Sequence, residues 1–295
     1  MKIAIYGQYY KEEVSIYVEK LLTSLKDNNI DVIIEKAFYK IILKKSKITQ
    51  EYSTFSSYKE LDSSFDMMLT IGGDGTFLRS ITYVRDTNIP ILGLNVGRLG
   101  FLANVQKNEI DKAINALVNN KYKIVERSLL KVKIIPEMEN FYKLNFALNE
   151  ITIVRKNSTS MITIETRLDD EFLTKYWADG LIIATPTGST GYSLSCGGPV
   201  ISPTSKNFIL TPIAPHNLNA RPLVIPETTI IKLKLVGREK HALLSLDSRI
   251  ITISNKEEVQ IEKADFTIKT IQLLDQTFLK TLREKLLWGE DIRNS

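Results

Sequence analysis

The apolar residues of this chain change their period near residue 127, and that change limits the fold more than any other feature. Before it, short apolar runs alternate with helical spacing. Residues 3–6 read as a strand, and Val14, Tyr17, Val18, Leu21, Leu22 and Leu25 then recur as on one face of a helix. Val32-Ile33-Ile34, Met67-Met68-Leu69-Thr70-Ile71 and Pro90-Ile91-Leu92-Gly93-Leu94 read as further strands. A helix is expected after residue 75, with Phe77, Leu78 and Ile81 on one face, and another over 109–119. Residues 44–64, rich in Lys, Ser and Thr, read as a mobile loop. Strand and helix in alternation build an open parallel α/β sheet. After residue 127 the runs 130–135, 144–154, 161–167, 180–184, 229–236, 242–253 and 259–268 are all strand-like. Many alternate apolar with polar residues, as half-buried antiparallel strands do. A helical pattern returns at 278–287, with Phe278, Leu282, Leu286 and Leu287 on one face. The expected organisation is an α/β domain over 1–126, a β-rich domain over 127–270 and a segment 271–295 that returns to the first domain.

Composition narrows the class. The chain has 295 residues, 43% of them hydrophobic and 25% charged, which excludes disordered and fibrous proteins. The single cysteine, Cys196, cannot close an internal disulfide, which fits a reducing compartment. The apolar start at residues 1–6 stops at Gly7, short of a signal-peptide core of about 7–15 residues. No run approaches the roughly 18 apolar residues of a membrane helix. The expectation is a cytoplasmic protein without a membrane partner. Its 39 Lys+Arg against 34 Asp+Glu give a net charge of +5. The basic residues form only short groups such as Lys44-Lys45, without interleaved aromatics, so no nucleic-acid partner is expected.

Two segments concentrate the chemistry. Gly72-Gly73-Asp74-Gly75-Thr76 lies between a strand end and a helix start. Glycine backbone can approach a ligand, and a helix N-terminus offers free N–H groups to phosphate. Asp74 repels phosphate unless it accepts a proton, holds a metal or binds a hydroxyl. A Gly-rich turn with Asp as a helix cap stays open as the structural alternative. Thr185-Pro186-Thr187-Gly188-Ser189-Thr190-Gly191-Tyr192-Ser193 follows the apolar strand Leu181-Ile182-Ile183. Its five Ser/Thr hydroxyls can cradle a diphosphate without Lys or Arg, and Thr187, Ser189, Thr190 and Tyr192 are expected to meet the ligand. Asn149-Glu150, interrupting an apolar run, and Asp179-Gly180 are weaker signals, the first equally readable as a hairpin turn. Residues 210–222, with three prolines and His216, read as an irregular loop. There is no G-x-x-x-x-G-K-[ST] loop, and Gly93-x-x-x-Gly97-x-x-Gly100 has the wrong spacing for a dinucleotide fingerprint.

In this order, Gly-Gly-Asp-Gly, Asn-Glu, Asp-Gly, Thr-Pro-Thr-Gly-Ser-Thr with Tyr-Ser, and Pro-His…Arg-Pro, the segments from residue 72 to 222 resemble the NAD kinase family. Diacylglycerol-type lipid kinases and 6-phosphofructokinases share the first motif; the segment Thr185 to Ser193 is specific. The resemblance implies a Rossmann-like open α/β domain followed by a β-sandwich-like domain. It implies phosphorylation of the adenosine-ribose 2′-hydroxyl of NAD by ATP and a divalent cation, Mg²⁺, to give NADP. Asp74 matches the proton acceptor. Gly75, Arg79, Asn149, Glu150, Asp179, Thr187, Thr190, Gly191, Tyr192, Ser193, Leu194, Ser195 and Ala214 match positions lining the NAD site. Gly72, Gly73, Gly75 and Thr76 match the phosphate side, and no side chain is assigned as a direct metal ligand. A homodimer or homotetramer is implied. Gly191 and Cys196 replace the usual alanine, Trp177 stands where a basic residue is common, and Asp247-Ser248-Arg249 replaces Asp-Gly-Gln.

The site is expected to draw on both domains. Three other readings stand beside it. A lipid or sugar kinase would need a different acceptor site, a non-catalytic NADP-binding module would not need Asp74, and a basic nucleic-acid binder would need clustered Arg and Lys.

Overall fold

The computed structural model describes residues 1–8, 11–97, 99–138, 144–157, 160–217 and 219–288. Arg98 in the Gly97–Gly100 spacing, Leu218 in the proline-rich segment, and residues 289–295 of the expected returning segment lie outside the described residues. The chain divides into two compact units, Met1–Glu126 with Ile268–Ser295, and Arg127–Thr267.

The first unit runs β1 (Lys2–Gly7), α1 (Ser15–Asp27), β2 (Asp31–Glu35), α2 (Lys36–Lys45), β3 (Ser53–Phe55), β4 (Met67–Ile71), α3 (Asp74–Val84), β5 (Ile91–Asn95), β6 (Val105–Gln106), α4 (Ile110–Val118) and β7 (Tyr122–Arg127). The strands β1 to β6 pair in parallel. β4 and β5 are buried along their whole length, which is why they read as unbroken apolar runs. The sheet order β3-β2-β1-β4-β5 reverses between β1 and β4. Gly72 follows β4 at that reversal, beyond the carboxyl ends of the strands, where open α/β sheets bind ligands.

Two elements beside and within the polar stretch were not expected. α2 forms because the buried Glu35 side chain accepts the Phe38 N–H at 2.8 Å, capping the helix, while Phe38 and Ile42 bury one turn apart. Ser53–Phe55 then pairs with β2, so residues 44–64 end one helix and supply an edge strand rather than a single loop.

The second unit is all antiparallel: β8 (Leu130–Ile135), β9 (Phe146–Ala147), β10 (Glu150–Arg155), β11 (Ile162–Leu168), β12 (Glu171–Ala178), β13 (Gly180–Ala184), the single turn α5 (Tyr192–Ser195), β14 (Asn207–Ile213), β15 (Leu223–Pro226), β16 (Ile231–Val236), β17 (His241–Leu246), β18 (Arg249–Ser254) and β19 (Glu258–Lys263). One sheet has the order β15-β14-β13-β10-β17-β18 and the other β12-β11-β16-β19-β8-β9. Ile151, Ile153, Leu181, Ile183 and Leu244 of the first pack with Val132, Ile134, Ile164, Leu233 and Ile261 of the second, as in a β-sandwich.

Several boundaries differ from the sequence reading. The run 242–253 is a hairpin, β17 and β18, turning at Asp247. The run 144–154 is cut at Leu148-Asn149, where the chain leaves one sheet as β9 and enters the other as β10. Residues 210–213, expected in an irregular loop, are the end of β14. Pro212 fits there because β15 pairs only residues 207–210, so no partner strand needs an N–H from it.

The chain then re-enters the first unit as β20 (Ile268–Leu273), between β5 and β7, and α6 (Phe278–Leu286). The Thr277 side chain caps α6 by accepting the Lys280 N–H at 3.1 Å. Lys112 of α4 pairs with Asp275, and the Phe278 ring lies 6.3 Å from the Phe101 ring. Thr281 and Leu282 are buried, whereas Leu287, expected on the packed face, is the exposed left-handed cap at φ 51°. Leu282→Ala is therefore expected to cost about 2–4 kcal/mol, read as a lowered melting temperature. Leu279→Ala, at a position 61% exposed, should move it little.

Candidate active site

Asp74 is the first residue of α3. Its Oδ1 accepts the N–H groups of Leu102 at 3.0 Å and Ala103 at 2.9 Å, and its Oδ2 that of Phe101 at 2.9 Å. The receiving loop is itself fixed. The buried Asn95 donates to the Ala103 carbonyl at 3.0 Å and accepts the Gly97 N–H at 2.7 Å. Gly100 has to lack a side chain, since a Cβ there would stand 1.9 Å from Asp74 Oδ1. The Lys285 ammonium of α6 lies 3.6 Å from Oδ2 and 4.6 Å from the centre of the Phe101 ring. Four acceptor positions are available on a carboxylate. Backbone N–H groups take three, and the fourth, on Oδ2, faces Lys285. The helix-cap alternative fails in one respect, because this carboxylate binds a distant loop rather than the N–H groups of its own helix.

In the second unit a second carboxylate does the same. Asp247, in the β17–β18 turn, accepts the N–H groups of Leu148 at 3.0 Å, Asn149 at 2.9 Å and Glu150 at 3.2 Å. Arg249 stands 3.8 Å from it and bonds the carbonyls of Leu144 and Phe146. The Asn149 carbonyl accepts the Thr185 N–H at 2.9 Å, and a Cβ on Gly188 would lie 2.0 Å from that same oxygen. Asn149, Glu150 and the loop 185–191 are thus pressed together. Asn149 Oδ1 and Glu150 Oε2 are buried with no hydrogen-bond partner. Unpartnered buried polar atoms are costly.

Several hydroxyls of the loop are already bonded within the protein. Thr185 donates to the Leu148 carbonyl at 2.5 Å and Ser193 bonds Thr211 at 2.8 Å. Ser189, expected to meet the ligand, is fully buried; it donates to the Pro186 carbonyl at 2.7 Å and accepts the Ile201 N–H at 3.1 Å. Thr190 turns back on the Thr187 carbonyl at 3.3 Å. These hydroxyls shape the loop, because a tight turn on a buried sheet must satisfy its own backbone groups first. Tyr192, 43% exposed, keeps an outward face, and Gly191, Leu194 and Ser195 lie on the same turn. Burial, with Cys196, Asp179 and Glu150 nearby, raises the Tyr192 phenol. Asp179 pairs with Arg155 at 2.9 Å, Ala214 is an exposed residue at φ 43° just past β14, and Arg79 is exposed on α3. His216 stacks on Trp177, ring centres 4.1 Å apart.

Sequence reasoning missed the N–H groups of Phe101 to Ala103 and the contact from Lys285. Gly97 and Gly100 were the only signal for the first, and no local signal existed for the second. Asp247 stood out in the sequence only as part of a departure from a pattern, not as the residue that holds Asn149 and Glu150.

A crystal structure of yeast NADH kinase complexed with NADH superposes with a TM-score of 0.85 over all of this chain and 90% of that one, at 24% identity. An NAD kinase from Archaeoglobus fulgidus in complex with ATP gives 0.74 over 97% of each chain, also at 24% identity. The fold is that of the NAD(H) kinases. Residues 3–122 match the ATP-NAD kinase N-terminal domain and residues 148–273 the ATP-NAD kinase C-terminal domain. The NAD kinase of Flavobacterium psychrophilum is 55% identical over the full length of both chains. The chain belongs to the NAD kinase family.

Burial, with Asp247 adding its charge, pushes Glu150 up to about 8 from 4.5, and burial raises Asp247 as well. Between pH 4.5 and about 8 the folded chain keeps a proton on Glu150 that the unfolded chain has lost. Stability therefore falls as pH rises through that window. Glu150→Gln, permanently neutral, should flatten the fall by up to about 1.4 kcal/mol per pH unit, as measured by urea unfolding from pH 5 to 8.

Proposed function

We propose that this chain transfers the γ-phosphoryl group of ATP to the 2′-hydroxyl of the adenosine ribose of NAD, giving NADP, with Asp74 as the group that accepts the hydroxyl's proton. Membership of the NAD kinase family gives the reaction. The single observation that carries the assignment to Asp74 is its one open acceptor position, on a carboxylate otherwise fixed by three backbone N–H groups. A ribose hydroxyl is a very weak acid, and little nucleophile charge develops early in such transfers. Asp74 therefore holds the hydroxyl in line and takes its proton late. Asn149 Oδ1 and Glu150 Oε2, read through the resemblance as contacts to the adenosine portion of NAD, are buried without partners, which supports that reading. Gly72, Gly73, Gly75 and Thr76 offer the start of α3 to phosphate. Thr187, Thr190 to Ser195, Asp179, Arg79 and Ala214 are read as further NAD contacts through the resemblance.

The divalent cation fits a particular role. Among the described residues no three His, Cys, Asp or Glu side chains converge to hold a metal ion. Mg²⁺ is read from the resemblance: ATP phosphates and water would hold it, Asp74 would help to place it, and it would neutralise charge on the phosphates. A homodimer or homotetramer is read from the resemblance, and a cytoplasmic location from the single cysteine.

The test is to incubate the pure protein with ATP, Mg²⁺ and NAD and assay NADP with an NADP-specific dehydrogenase. Absence of product would leave a non-catalytic binding module as the better reading. Asp74→Asn keeps the size and the two bonds on one oxygen, gives up the backbone bond on the other because an amide NH₂ cannot accept, and cannot take the proton. It should lower turnover on the order of 10²-fold or more while calorimetry shows NAD binding retained. Turnover within a few-fold of the parent would remove the proton-acceptor role.

A further inference from the structure

The first unit brings a cation to the reacting carboxylate from an element remote in sequence. Neither Gly72 to Thr76 nor Thr185 to Ser195 contains Lys or Arg, and the P-loop lysine motif is absent. A transferring phosphoryl group spreads negative charge over its equatorial oxygens, and phosphotransferases meet that charge with Lys, Arg or metal. Lys285 stands 3.6 Å from Asp74 Oδ2. A charge-assisted hydrogen bond would be about 2.7–2.9 Å, so this contact is attraction without a locked bond. Both side chains are partly exposed, 33% and 28%, which makes it easy to exchange. Two further contacts hold the region of α6 in place: the ammonium on the Phe101 ring, and the Phe278 ring against the same Phe101. Phe101 also supplies the N–H on Oδ2. An acceptor hydroxyl that docks on Oδ2 must take the position Lys285 faces.

We propose that Lys285 is a catalytic residue of the phosphoryl transfer: its ammonium leaves Asp74 as the acceptor hydroxyl docks and donates to the phosphoryl group being transferred. The inference rests on the reading of Asp74 as the proton acceptor. The 2′-oxygen bonds to the γ-phosphorus as the bond from that phosphorus to the β,γ-bridging oxygen breaks. ADP leaves with that electron pair, and the hydroxyl proton passes to Asp74 and then to water. Lys285 keeps its protons throughout. A lysine suits this because its ammonium is a compact charge with three donors on a flexible stem.

The experiment compares the parent, Lys285→Met, Lys285→Arg and Asp74→Asn in the coupled NADP assay, with melting temperature and NAD binding measured on each. Lys285→Met should lower kcat on the order of 10²-fold, the effect of losing one donor to a developing charge. KM for NAD should stay within about two-fold and the melting temperature within about 3 °C. Lys285→Arg should recover at least about ten-fold of the lost turnover. Three results would overturn the proposal: turnover of Lys285→Met within a few-fold of the parent, a rise in its turnover, or a loss matched in stability and NAD binding that arginine does not restore. If the parent forms NADP and Asp74→Asn does not, such a result condemns only Lys285. If Asp74→Asn turns over normally, the underlying reading has failed first.

Discussion

The carboxylate of Asp74 is held by the N–H groups of Phe101, Leu102 and Ala103, and the arrangement of the first unit around β4 serves that contact. β4 delivers Gly72 and Gly73 at the reversal of strand order, α3 starts at Asp74, and β5 leads through Asn95 into the loop that receives it. Gly100 is the position at which the contact is most exacting, because any side chain there would occupy the space of the carboxylate. A carboxylate fixed in this way needs little reorganisation to meet one more donor, as the proposed proton acceptor would.

The second unit solves a similar problem with Asp247. The chain crosses between the two sheets of the sandwich at Leu148-Asn149, where the backbone N–H groups have no ladder partners. Asp247 supplies an acceptor to three of them at once, and Arg249 secures the strand before the crossing through two carbonyls. The result is that Asn149 and Glu150 present buried oxygens without partners. Burial, with the Asp247 charge beside it, raises the Glu150 carboxyl, and both oxygens stay without a partner inside the protein.

Much of this was legible in the sequence. The change of period at residue 127 separates the parallel sheet from the sandwich, and the runs at β4, β8 and β13 fall where the apolar residues place them. What escaped depends on partners far along the chain. α2 is hidden among lysines because only Phe38 and Ile42 are fully buried and its cap is Glu35, an unusual capping residue. The end of β14 reads as a loop because Pro212 breaks strand rules, yet β15 stops short of it. Ser189 looked like a ligand hydroxyl because composition shows the group and not its bonds to Pro186 and Ile201. Asp247 and Lys285 are 98 and 211 positions from Asn149 and Asp74, and nothing local to either residue announces the contact.

As the proposed proton acceptor, Asp74 keeps its three backbone bonds and uses the remaining position on Oδ2 for the acceptor hydroxyl. The most direct test is a crystal structure of the protein with NAD bound and no phosphoryl donor. The ribose 2′-oxygen is expected at about 2.7 Å from Oδ2, with the N–H groups of Phe101, Leu102 and Ala103 still on the carboxylate and Lys285 displaced from it. A 2′-oxygen out of hydrogen-bond reach of Asp74, or a carboxylate turned away from those three N–H groups, would contradict it.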